Sequence, residues 1–159
     1  MKRAVHTLDS TGIGKILPLA RSFYAESSSI FSSENNFDDD LWSASMSRCI
    51  ESETMRVLYT TKSGRVDGEC VALMTVALVV SPFDGRIEIH EAMWYVAKGY
   101  RSFGHGMTLL RSLDALAEEI GAARIIMTHL ENNTGDRLSH ILPRFGYKPL
   151  EVTYSKEVI

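Results

Sequence analysis

The sequence predicts an α/β fold in which a mixed, largely antiparallel central sheet carries helices on both faces. Three stretches of β-type sequence, 55–61, 69–80 and 87–96, follow one another with only short turns between them, as antiparallel strands do. A helical stretch then precedes an apolar segment at 124–130, and this β–α–β order predicts a parallel pair. The 159 residues, 45% of them hydrophobic, suit one domain, which we assign to 1–159.

The N-terminal third predicts one short strand and two helices. Residues 3–8 read as the strand, and apolar residues recur at helical spacing over 12–25, which predicts the first helix. A serine-rich loop at 26–36 separates it from a second predicted helix at 38–52. Three aspartates at 38–40 fall in the first turn of that helix, where carboxylates favour the positive end of the helix dipole. Consecutive helix positions do not converge on one point, so we expect no metal site there.

The C-terminal third predicts two helices and two strands. A glycine-punctuated loop at 97–106 leads into a helix that ends near Ile120. The apolar segment at 124–130 is predicted as a buried strand. We predict a short helix at 134–145 after it, and a last strand at 147–156.

Composition and charge exclude several classes of protein. The formal net charge is −3, which predicts no general affinity for nucleic acid or for anionic membranes. The two cysteines, Cys49 and Cys70, have no CxxC partner and predict packed, reduced thiols. The N-terminus lacks an apolar signal core, and the longest apolar run, Val71–Val80, is too short to span a bilayer. We therefore expect a cytoplasmic protein with no membrane partner.

The loop before the long helix is the segment that indicates a binding function. It contains, in order, Arg101, Ser102, Phe103, Gly104, His105 and Gly106. A helix N-terminus exposes unpaired N–H groups and a positive dipole end, so it binds anions, and glycine lets the backbone approach a phosphate closely. The string matches neither GxGxxG nor GxxxxGK(S/T). A plain turn and an unrelated nucleotide-binding loop therefore remain alternatives.

Residues 101–106 also fit the (Q/R)-x-x-G-x-(G/A) signature of the GNAT superfamily of N-acetyltransferases, which the chain resembles over about residues 54–156. The segment 94–96 looks like that family's strand-to-loop junction, and 145–147 (Phe-Gly-Tyr) looks like its terminal glycine–aromatic pair. The C-terminal segment is similar to acetyltransferase-like proteins of tailed phages, which would place the protein in the host cytoplasm. The resemblance implies a GNAT-like sheet with a splayed parallel strand pair.

The resemblance further implies an acyl-donor site for acetyl-CoA and no metal. In that family the loop amides hold the pyrophosphate, which corresponds here to residues 101–106. The pantetheine arm then hydrogen-bonds to the strand backbone, here at Trp94, Tyr95 and Val96, and Asn133 is expected to contact the same arm. The implied reaction is direct attack of an amine acceptor on the thioester. The acceptor's identity is open, and so is a homodimer.

The family often keeps an acidic general base in the strand before the loop, where this sequence offers Glu88, His90 and Glu91. We favour Glu91, which stands three residues before Trp94, because the similar phage-type sequences have an acidic residue three positions before the corresponding aromatic residue. Strict alternation places Glu91 on one strand face with Met93 and Tyr95, and Glu88 with His90 on the other. Partial burial would raise the pKa of Glu91 toward a useful range. Glu88 remains the alternative base, and a lone strand histidine is more often structural.

The sequence departs from the family at the usual acid for the departing thiolate. Many members carry a tyrosine four residues before the glycine–aromatic pair, where this chain has Leu142. Tyr154, His129 and water are the substitutes that we consider. Because that tyrosine is missing, a catalytically inactive CoA-binding or structural protein of the phage type is the alternative function.

Overall fold

The fold is seen in a computed structural model that describes residues 3–27, 37–128, 135–154 and 156. Within these residues the helices are α1 (Ile13–Ser27), α2 (Asp39–Glu51), α3 (His105–Ile120) and α4 (Gly135–Ile141). The strands are β1 (His6–Thr7), β2 (Met55–Thr61), β3 (Cys70–Val80), β4 (Ile87–Val96) and β5 (Arg124–Ile126). Short 3₁₀ turns cover Ser10–Gly12, Lys98–Phe103 and Leu142–Phe145.

The described strands form one mixed sheet in the order β1-β2-β3-β4-β5. Each neighbouring pair from β1 to β4 is antiparallel, and β4 and β5 are parallel. This confirms the predicted fold class. The parallel register begins at Glu88–Arg124 and ends at His90–Ile126, although β4 continues to Val96. The backbone of β4 beyond His90 therefore has no β5 partner in the described part of the chain.

Two apolar clusters cover the two faces of the sheet. The α3-side cluster consists of Leu58, Ala72, Met74, Val76, Ile89, Leu109, Leu110, Leu113, Leu116 and Leu142. The opposite, α1-side cluster consists of Leu8, Ile13, Ile16, Leu19, Met46, Val57, Tyr59, Leu73 and Tyr95. Alternate residues of β2, β3 and β4 supply both clusters, because successive side chains of a strand point to opposite faces.

The aspartates at the start of α2 act in helix capping and in an ion pair. Asp38 is the N-cap, and its carboxylate accepts a hydrogen bond from the Leu41 N–H at 2.9 Å. Asp39 accepts a hydrogen bond from Arg21 Nε of α1 at 2.7 Å, which joins the two helices. Among the described residues, no group of three histidine, cysteine, aspartate or glutamate side chains is arranged to hold a metal ion.

The C-terminal segment differs from the sequence prediction. The predicted last strand at 147–156 is wrong for residues 147–154, which adopt no strand and expose Leu150, Val152 and Tyr154 by 70%, 76% and 90%. An alternating apolar pattern forms a strand only when a neighbouring strand accepts its hydrogen bonds. The predicted helix at 134–145 changes to a 3₁₀ turn after Ile141, because Pro143 cannot donate the α-helical hydrogen bond.

The strand predicted at 124–130 is also shorter than expected, since β5 ends at Ile126 and residues 127–128 are irregular. Residues 129–130 lie outside the described part. In the part of the chain that the structure covers, we find no helix with the length and apolarity that crossing a membrane requires.

Truncation of Leu113 in the α3-side cluster should strongly destabilise the fold. Leu113 is fully buried, so the Leu113→Ala variant loses its apolar contacts and leaves a cavity, which lowers the free energy of unfolding by about 2–5 kcal/mol. Denaturant unfolding measures this difference. Leu41→Ala is the matched control because Leu41 is 65% exposed, and it should change the stability by less than about 0.5 kcal/mol. Equal effects of the two variants would contradict the described core.

Candidate active site

The loop between β4 and α3 leads directly into a helix N-terminus. Lys98–Phe103 form a 3₁₀ turn, and Gly104 then adopts φ +77° before α3 begins at His105. That left-handed conformation is easy for glycine and strained for most residues with a side chain. The first N–H groups of an α-helix lack carbonyl partners within the helix, so this junction has the donors that an anion needs.

Gly106 packs the start of α3 directly against β4. A Cβ atom at Gly106 would lie 3.3 Å from Val96 Cγ2 and 3.4 Å from Trp94 Cζ2. The space beside the Cα of Gly106 is thus filled by protein, and a close approach of a phosphate to the backbone of both glycines stays a prediction. The Trp94 indole Nε1 lies in this contact, is buried and has no hydrogen-bond partner among the described residues. Trp94 and Gly106 therefore position the helix N-terminus.

The side chains of the loop point in different directions. Ser102 and Phe103 are exposed, with Phe103 57% accessible. His105 is buried, and its Nδ1 lies 2.8 Å from the hydroxyl oxygen of Thr60 on β2. Burial, together with the nearby charge of Arg3, lowers the pKa of His105. The His105 side chain therefore anchors the loop to the sheet, and only its backbone remains for binding.

Arg101 joins the loop to the end of α1. Its Nη2 donates to Glu26 Oε2 at 2.6 Å, and its Nε donates to the Val96 carbonyl at 3.0 Å. The Tyr95 hydroxyl donates to the other oxygen of Glu26, also at 2.6 Å. Two of the three junction residues expected to contact pantetheine, Tyr95 and Val96, thus also support the loop. Glu26 was missed by sequence reasoning, which placed it in the serine-rich loop.

A β-bulge changes the side-chain directions within β4. Thr75 of β3 pairs with Met93, whereas the next residue, Val76, pairs with Glu91, so Ala92 is an extra residue in the strand. Paired residues point to the same face of a sheet. Glu91 therefore shares the α3-side face with Val76, and Met93 lies on the opposite face. The alternation that grouped Glu91 with Met93 and Tyr95 was wrong, because it assumed a regular strand.

Glu91 lies where β4 and β5 stop pairing. Its Oε2 accepts a hydrogen bond from the Thr128 N–H at 3.3 Å, across the gap that opens after the His90–Ile126 pair. Burial raises the pKa of the Glu91 carboxyl to about 7, because removal of water from around the carboxyl disfavours its charged form. A carboxyl with this pKa exchanges protons near neutral pH, as a general base must.

Glu88 is held in an ion-pair cluster at the other end of the paired segment. Its carboxylate lies 2.6 Å from Arg124 Nη2 and 2.8 Å from His90 Nε2. The hydrogen bond from His90, with those from Ser81 and Arg124, lowers the pKa of Glu88. Because Glu88 is held by these partners, its geometry suits a structural role. The geometry of Glu91 suits proton transfer.

The structure describes two of the positions that bear on the general acid, Leu142 and Tyr154. Leu142 is buried in the α3-side cluster, where the resemblance expects a tyrosine. Tyr154 is 90% exposed in the irregular C-terminal segment. His129 and Asn133, expected to follow β5, lie outside the described residues.

The raised pKa of Glu91 predicts a pH-dependent effect on stability. A carboxyl with a pKa raised from 4.5 to about 7 stabilises the fold below about pH 4.5, and this contribution is lost as the pH rises to about 7. When the pH is raised from 5 to 8, the free energy of unfolding of Glu91→Gln should therefore gain about 1–3 kcal/mol relative to that of the wild type. Thermal unfolding at both pH values measures this gain. Glu119→Gln, at an exposed position of α3, should show none; the same gain in both variants would contradict the burial of Glu91.

Comparison with solved structures confirms the fold. An aminoglycoside acetyltransferase from an uncultured soil metagenomic sample superposes with a TM-score of 0.78 at 19% identity, over 100% of both chains. A ribosomal-protein-alanine N-acetyltransferase from Brucella melitensis biovar Abortus 2308 gives a TM-score of 0.67 at 18% identity, over 98% of this chain and 97% of that chain. At these identities the similarity shows the fold alone. No curated protein sequence gives a significant match.

The sequence itself identifies the family. The profile of the acetyltransferase (GNAT) family matches residues 20–147, a span that includes the second half of α1, the whole β4–loop–α3 unit and the glycine–aromatic pair. The comparisons do not bear on the similarity to phage-encoded proteins, which stays a prediction. The chain belongs to the acetyltransferase (GNAT) family.

Proposed function

We propose that the protein is an acetyl-CoA-dependent N-acetyltransferase in which Glu91 is the general base. The observation that carries this proposal is the position of Glu91, whose carboxyl has a pKa of about 7 and lies where the β4–β5 pair opens. Family membership and the helix N-terminus that follows Gly104 support the same function.

The donor site that we propose has two parts. The unpartnered N–H groups at the start of α3 suit the pyrophosphate of acetyl-CoA, and Gly104 keeps their approach free of a side chain. Among the described residues, the β4 backbone beyond His90 lacks a β5 partner, which suits the amide groups of a pantetheine arm. When bound, acetyl-CoA supplies the activated acyl group as a thioester.

The chain's own groups then perform proton transfer and charge stabilisation. A free lysine-type amine has a pKa of about 10.4 and must lose a proton before it attacks. The Glu91 carboxylate accepts that proton, directly or through one water, and unpaired β4 N–H groups stabilise the charge that develops on the thioester oxygen. The departing thiolate is protonated by an acid that we leave unassigned, since Leu142 cannot serve.

Release of the CoA thiol tests this function. The purified protein is mixed with acetyl-CoA and, separately, with small amines, an aminoglycoside and peptides with a free N-terminus. We expect thiol release well above the rate with acetyl-CoA alone for one of these acceptor classes. Binding of acetyl-CoA without release for any acceptor would instead favour a catalytically inactive CoA-binding protein. Whether the protein forms a homodimer stays a prediction.

A further inference from the structure

Arg3 lies beside the loop between β4 and α3, although the two are distant in sequence. Its Nη1 is 3.4 Å from the position that a Cβ atom would take at Gly104. Arg3 lies in the segment just before β1, which pairs with β2 through His6 and Tyr59. The N-terminal segment therefore brings a guanidinium group to the residue that precedes α3.

The sheet holds this segment in place. Val5, two residues after Arg3, packs against the α3-side cluster. Thr60 of β2 bonds to His105, the first residue of α3. The same edge of the sheet thus supports both Arg3 and the start of α3, so their proximity follows from the packing.

The charge of Arg3 has no counter-charge within the described residues, where no carboxylate lies within ion-pair distance of it. Its field reaches the loop, because it adds to burial in lowering the pKa of His105. A cation without a counter-charge next to free helix N–H groups attracts an anion from two sides. An arginine fork also matches the two oxygens of a phosphate group.

We propose that Arg3 is a further binding residue of the donor site, and that its guanidinium contacts the pyrophosphate held at residues 104–106. This inference rests on the proposed function. It adds a contact from outside the 101–106 signature, and so makes the N-terminal segment part of the donor site.

Calorimetric titration with CoA tests the contact in the intact chain. Arg3→Gln should raise the Kd for CoA about 10-fold or more, because a charge-assisted hydrogen bond is lost. Arg3→Lys keeps the charge without the fork and should give a smaller increase. Arg48→Gln is the matched control, since it removes one positive charge from an exposed position of α2 on the other side of the sheet. It should bind CoA as the wild type does.

The outcomes separate the inference from the function on which it rests. If the wild type binds CoA and a folded Arg3→Gln variant binds within about 2-fold of Arg48→Gln, only the Arg3 contact is overturned. If the wild type does not bind CoA, the proposed function fails as well. Titration with dephospho-CoA, which lacks the 3′-phosphate, completes the test. The Arg3→Gln defect should persist with this ligand, and its disappearance would overturn the pyrophosphate contact.

Discussion

Replacing Gly104 by aspartate should abolish acetyl-CoA binding, with an increase in Kd of about 100-fold or more. The aspartate would place a negative charge directly before α3, where the pyrophosphate is expected. Its carboxylate would also lie within reach of Arg3 and neutralise the cation that we propose as an additional contact. Calorimetric titration with acetyl-CoA measures the loss.

Gly104→Asn provides the control for this substitution. Asparagine has nearly the same size as aspartate, and both tolerate the left-handed conformation of Gly104 better than other residues with side chains. The asparagine variant therefore shares the steric change and lacks the charge. It should bind acetyl-CoA more tightly than the aspartate variant by about 10-fold or more. Equal affinities would show that charge at this position is irrelevant, which contradicts a pyrophosphate site there.

Glu91→Gln should slow acetyl transfer by about 10²–10⁴-fold and leave acetyl-CoA binding nearly unchanged. Glutamine keeps the shape of the side chain but cannot accept the proton of the amine. In the wild type, kcat/KM should rise as the pH increases through about 7, because the base must be ionised. The residual activity of the variant should lack this rise in kcat/KM near pH 7.

Two outcomes would remove Glu91 from the proposed role. One is undiminished turnover of Glu91→Gln, and the other is a pH step near 7 that persists in the variant. Glu119→Gln, at an exposed position of α3, controls for the removal of one carboxylate and should retain full activity. Glu88→Gln is not suitable as a control, since its loss would break the cluster with Arg124 and His90.

Local patterns were sufficient to predict most of the fold. The runs that became β2, β3 and β4 are separated by short turns, and short turns allow only antiparallel neighbours. The β–α–β order likewise required the parallel β4–β5 pair. The predicted last strand failed because its pattern is local, whereas strand formation depends on a partner elsewhere in the chain.

The site was less predictable because its key features depend on tertiary contacts. The bulge at Ala92 is defined by the register of β3 against β4, and no residue in β4 signals it. The contacts of Arg101 with Glu26 and of Arg3 with Gly104 join distant segments, so spacing could not reveal them. The loop itself was found from sequence because a short glycine-containing signature precedes a helix.

Titration of the purified wild type with acetyl-CoA in a calorimeter tests most directly the donor site on which the proposed function depends. We expect saturable binding at one site per chain, and competition by free CoA. A folded protein that releases no heat with acetyl-CoA and binds ATP instead would contradict the account, because the loop would then serve a different phosphate ligand.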